Sequence, residues 1–125
     1  MKIDGHWKLM RIAAIKERSA LSTLAALVAG RQRLREQRNA LDQPGFSAPP
    51  PAGMSELRAG DLWRAWQRAR REELDAELRS LAPSIEAARR AAIRAVGRKR
   101  VADALHQRAR GAAIALARRR RDGNG

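Results

Sequence analysis

Residues 42–54 read DQPGFSAPPPAGM, the only clear interruption between two long stretches of helical periodicity. Four prolines and two glycines fall within it. Proline lacks the backbone donor a helix needs and clashes with the preceding turn, and the triple proline at 49–51 prefers an extended backbone. The chain therefore reads as two helical arms joined by a tip at 42–54, and a linker of this length lets the arms return antiparallel.

The first arm spans 7–41. Ala13, Ala20, Leu27, Leu34 and Leu41 are each seven residues apart, and Met10 and Leu24 fall on the companion positions of the same stripe. Glu17, Arg31 and Arg38 interrupt it with polar side chains. This is the pattern of a coiled-coil strand. Gly30 costs the helix about 1 kcal/mol relative to alanine, which the rest of the arm absorbs.

The second arm spans 55–121. Ser55 with Glu56 behind it, or Asp61 one turn later, is the expected cap. Leu74, Leu78, Leu81, Ile85, Ala88 and Ala92 alternate four and three apart. The stripe is expected to lose phase near Gly97 and resume as Leu105, Ala109, Ala112 and Leu116. Pro83 lies inside this arm and predicts a kink or a break, with a new helix starting there. Asp75 with Arg79 and Glu86 with Arg90 are acid-first i,i+4 pairs on the outer face, and residues 122–125 read as a frayed tail. The expected fold is all-α: a single domain over 1–125, built as an antiparallel two-helix coiled-coil hairpin with unequal arms.

Composition agrees with long helices rather than a thick core. Tyr is absent, Phe46, Trp7, Trp63 and Trp66 are the only aromatics, and alanine, leucine, arginine and glutamate dominate. The net charge of +14 is unevenly spread. Residues 1–42 carry nine basic and four acidic side chains, 61–97 carry eight and six, and 98–125 carry nine and two. Such ends favour acidic partners: nucleic acid, an anionic membrane or an acidic protein surface. Cysteine is absent, which fits a reducing compartment. The longest apolar stretch, Ala20 to Gly30, follows a basic start like a signal-peptide core, but it is too short to span a bilayer and the helical pattern runs through it. A cytoplasmic location is expected.

Candidate chemistry is sparse. His6 lies near the terminus, and His106 has Asp103 one turn earlier as its only plausible co-ligand, which does not fill a coordination sphere. Glu72, Glu73, Asp75 and Glu77 stand among Arg68, Arg70, Arg71 and Arg79, the pattern of a salt-bridged outer face. No phosphate loop or nucleophile motif is present, so neither an enzyme nor a cofactor is expected. The run Arg118–Arg121, preceded by Arg98, Lys99, Arg100, Arg108 and Arg110, suits phosphate backbones, and equally suits a helix C-terminus. Trp63 and Trp66 either seal the tip of the hairpin or form an exposed anchor pair. A basic amphipathic first arm could also lie on an anionic membrane, but its stripe lacks a broad bulky face.

Three stretches carry a family resemblance. WKLMRIAAIKERSALSTLAALVAGRQRL resembles the opening of the FliJ family of flagellar type III export proteins and the related YscO-type injectisome proteins. DLWRAWQRARREELDAELRSLAPSIEAARRAA resembles their returning helix, and GRKRVADALHQRAR is similar to the basic stretch before its end. The resemblance implies a non-enzymatic stalk whose paired chain ends enter a hexameric export ATPase and help link that ring to the membrane export gate, with export chaperones as further partners. It implies a cytoplasmic protein, peripheral to the inner membrane through those partners. By position, Arg11, Lys16, Arg18, Arg98, Lys99, Arg100 and Arg108 would face the ring, and Leu34, Arg38, Leu41, Trp63 and Trp66 the gate or a chaperone. The alternative from the residues alone is a small basic helical protein that binds nucleic acid or ribosomes without sequence specificity.

Overall fold

The computed structural model describes residues 3–43 and 56–123. They form two helices, α1 Ile3–Leu41 and α2 Glu56–Gly123, with no strand among the described residues. The helices pack against each other as an all-α helical hairpin. Both contribute to each of two packed units, the first joining Met1–Leu24 with Ala87–Gly125 and the second being Ala25–Glu86.

In the second unit, three contacts between the helices and one from α2 to the turn after α1 fix the antiparallel direction. Arg70 donates to Gln37 at 3.3 Å, Arg38 Nε lies 2.6 Å from Asp75 Oδ1, Arg71 pairs with Asp42, and Gln67 donates to the Leu41 carbonyl. Arg38 and Asp75 are both partly exposed, so their ion pair is worth about 0.2–1 kcal/mol. Asp75 thus turns to the opposite helix rather than to Arg79. The Gln67 contact closes the end of α1. The last four carbonyls of a helix have no intrahelical donor, and here the Asn39 and Ala40 carbonyls take the N–H groups of Asp42 and Gln43 while Leu41 takes the Gln67 amide. Beneath this polar closure, Leu41, Leu74 and Ile85 are buried, the last two to 1% exposure.

The first unit packs differently. Its buried positions on α2 are Ala88, Ala92, Ala95 and Ala102, and α1 contributes His6. Met10, Ala13, Glu17 and Ala20 are half-buried on α1, and Lys99, His106, Ala109 and Ala113 on α2. The seam is made of small and polar side chains. A buried methyl is worth about 0.8 kcal/mol, against about 1.5–3 kcal/mol for a fully buried leucine or isoleucine, so each heptad holds more weakly here than in the second unit.

Several expectations need correction. α1 begins before residue 7, which brings His6 into the seam, and α2 runs to Gly123, taking in part of the expected tail. Pro83 does not break α2 or restart it. It lies on the exposed face beside exposed Arg79, so the Arg79 carbonyl that loses its donor can be solvated. Nor does the stripe lose phase at Gly97. Burial continues three and four apart through Ala95, Lys99, Ala102, His106, Ala109 and Ala113, leaving Leu105, Ala112 and Leu116 exposed. Bulky apolar residues suggested a shift, whereas the helix kept its period and turned small and polar side chains to the seam. Asp61 is no cap: it sits inside α2, paired with Arg64. The Ser55 cap and tip residues 44–54 lie outside the described residues.

Candidate functional site

The first unit carries seventeen basic and four acidic side chains, and the second carries ten and nine. Almost the whole net charge of the protein belongs to the unit formed by the beginning of α1 and the end of α2. Three of its cations, Lys16, Arg94 and Arg98, cluster with apolar side chains around a groove between the two helices.

That groove is lined from α1 by His6, Leu9, Ile12, Ala13 and Lys16. From α2 come Arg94, Ala95, Gly97, Arg98, Val101, Ala102 and Leu105. The heptad explains the arrangement. Ala13, Ala95 and Ala102 are seam positions and form a low floor. Leu9 and Ile12, and Val101 and Leu105, stand beside the seam on the same side of their helices and form the two walls. Ile12 is 51% exposed and Val101 60%, so the hairpin leaves these walls uncovered. Leu105 also borders a second depression, shared with His6, Arg108, Ala109, Ala112, Ala113 and Leu116.

His6 lies at the junction of both surfaces. It is 7% exposed, and its Nδ1 finds no hydrogen-bond partner among the described residues. His106 Nδ1 on α2 is likewise buried without one. Asp103, which sequence spacing offers to His106, instead pairs with Lys99 at 3.3 Å. Among the described residues no three or more metal-ligating side chains come together.

The residues assigned to a ring contact all belong to the first unit. Arg11, Lys16, Arg18, Arg98, Arg100 and Arg108 are exposed, and Lys99 is half-buried against Asp103. Arg11 stacks over the Trp7 ring, 5.4 Å from its centroid. The residues assigned to a gate or chaperone contact are less uniform. Leu41 is buried and Leu34 and Arg38 are half-buried on the seam, with Arg38 held by Asp75, so these three spend their side chains within the hairpin. Trp63 and Trp66 stack on each other, centroids 5.0 Å apart and planes at 18°. Trp63 is half-buried and Trp66 exposed. The pair is a preformed aromatic step on α2.

Sequence reasoning passed over Leu9, Ile12, Arg94 and Val101, and read Gly97 only as a loss of phase. The signal was present: in each helix a second apolar row runs one position before the seam. It shows only when both helices are laid side by side in register. No helix among the described residues is long and apolar enough to cross a membrane. Against known protein families, curated proteins and solved structures, the chain finds no match.

Proposed function

We propose that this protein is a non-enzymatic docking hairpin of the flagellar type III export apparatus, a stalk-like partner of the export ATPase ring. The observation that carries this reading is the partition of charge: seventeen basic against four acidic side chains in the first unit, near balance in the second. A pair of helices with its cations gathered in one unit suits insertion into an acidic protein surface, where unlike potentials steer association and fix orientation. Arg11, Lys16, Arg18, Arg98, Arg100 and Arg108 are the ring-facing set. Trp66, with Trp63 stacked behind it, is the anchor offered to the export gate or to a chaperone, since tryptophan in a desolvated patch is a frequent hot spot.

The test is to delete the gene in its host and measure flagellin in the culture medium together with swimming. The expected result is severe loss of both, restored by the intact gene and not by a Trp63→Ala/Trp66→Ala variant that remains helical. Normal secretion and swimming overturn the flagellar reading. The exposed run Arg118–Arg121 favours a second reading, non-specific binding of nucleic acid or ribosomes. That reading requires an affinity that falls steeply with salt and depends on those four arginines.

A further inference from the structure

We infer that the groove of the first unit is a docking site for an acidic amphipathic helix of a partner protein, which completes a three-helix layer with α1 and α2. The inference does not depend on the export reading, since any partner could supply such a helix.

Five observations converge. The groove is apolar on its floor and both walls, and the walls are bulky side chains that the hairpin leaves exposed. Along α1 the lining runs from His6 to Lys16, about 15 Å at the helical rise. That length accepts nearly three turns of a helix presenting apolar residues three and four apart. Lys16, Arg94 and Arg98 lie among the lining residues and make no ion pair among the described residues, so flanking carboxylates on the incoming helix would find unengaged cations on both sides. His6 is nine-tenths buried with Nδ1 lacking a partner among the described residues, and a polar side chain of the incoming helix would meet it at the end of the groove.

The remaining observation concerns Gly97. A Cβ built there would meet no atom within 4 Å, so the packing of the hairpin does not require glycine. Glycine in a helix interior costs about 1 kcal/mol relative to alanine. At this position it keeps one wall low, leaving room for a close backbone approach.

Charge argues against the other occupants. A second copy of this chain would bring one strongly basic unit against another. A bilayer surface is flat, whereas this site is concave. Phosphate backbones would use the cations and leave the apolar walls bare.

The experiment titrates the full-length protein with a synthetic helical peptide of about 20 residues, bearing leucines at three-four spacing flanked by glutamates, and follows fluorescence anisotropy. Controls are the same peptide with lysines replacing the glutamates and a composition-matched scramble. Saturable binding of the acidic amphipathic peptide is expected. Gly97→Leu fills the groove while raising helix propensity, and should weaken binding about tenfold or more with undiminished circular dichroism. An Ile12→Ser/Val101→Ser variant should do the same. The triple reversal Lys16→Glu, Arg94→Glu, Arg98→Glu should exchange the preference toward the lysine peptide. Equal affinity for the scramble, or binding indifferent to Gly97→Leu, overturns the inference in favour of diffuse electrostatics. Sedimentation showing a dimer of the unbound protein that Gly97→Leu dissociates assigns the groove to self-association and also overturns it. A secretion defect without peptide binding rejects this inference alone, and peptide binding without a secretion defect rejects the export reading alone.

Discussion

Individual side chains in this hairpin do unequal work, and burial tells them apart. Leu74 is 1% exposed in a unit whose other fully buried large side chain is Ile85. Few neighbours can collapse into the space it would leave, so Leu74→Ala should destabilise the protein by about 2–4 kcal/mol. Urea unfolding followed at 222 nm would show it as a lower midpoint, and an unchanged midpoint would mean that the second unit is not held by this contact. His6 predicts the opposite sign. Its Nδ1 is buried and finds no partner among the described residues, and a buried polar atom without a hydrogen bond costs about 1–3 kcal/mol. Replacement by a similarly sized apolar residue, His6→Leu, should therefore raise the midpoint. Retaining a buried histidine in this seam of small and polar side chains makes physical sense if a bound partner satisfies it. The seam role of Leu41 was readable in the sequence from seven-residue spacing alone. The burial of His6 was not, because it precedes the first bulky residue of the arm and histidine carries no hydrophobic signal.

At the scale of the element, α2 shows how much a regular helix can override local composition. Pro83 and Gly97 both argue for interruption, and α2 passes unbroken through both. The proline is tolerated because it faces outward beside exposed Arg79, where the carbonyl it strips of a donor can be solvated, and because the seam on the other side, with Leu81 and Ile85 flanking it, holds the helix to α1. Tolerance is not neutrality. Proline in a helix interior is about 3 kcal/mol worse than alanine, and Pro83→Ala should recover much of that as increased stability with no loss of helical signal. A thermal melt checks it: a lower melting temperature would mean that the proline is needed, for instance to bend α2 around α1. The helix ends follow the same logic. Where α1 stops, its carbonyls find donors from Asp42, Gln43 and Gln67, and Gln67 lies far along the chain. No scan of local sequence could have located that closure. The two arms and their heptad positions were legible because they need only one helix at a time, whereas the groove walls became visible only with two.

For the molecule as a whole, charge and packing pull the two units apart in stability. The second unit is nearly neutral and buries Leu41, Leu74 and Ile85; the first carries most of the net charge over a seam of small and polar side chains. Self-repulsion weakens a compact state, and salt screens it with a length of about 10 Å at 0.1 M. Opening of the first unit should therefore need less free energy than opening of the second, and the difference should shrink as salt is added. Amide hydrogen exchange read by mass spectrometry resolves this by segment. In dilute buffer, amides across 92–113 should exchange faster than those across 67–85. Raising the ionic strength should slow the first set and leave the second nearly unchanged. The same outcome at both salts would show that alanine packing alone sets the difference. Equal protection in low salt would show that the seam of the first unit is stronger than its side chains suggest. A weakly held, highly charged helix pair is poised to be completed by something that supplies both apolar surface and negative charge. An acidic helix supplies both, so in low salt the glutamate-flanked peptide should protect 92–113 more than any concentration of salt does. Salt screens the repulsion but covers none of the exposed walls at Ile12 and Val101.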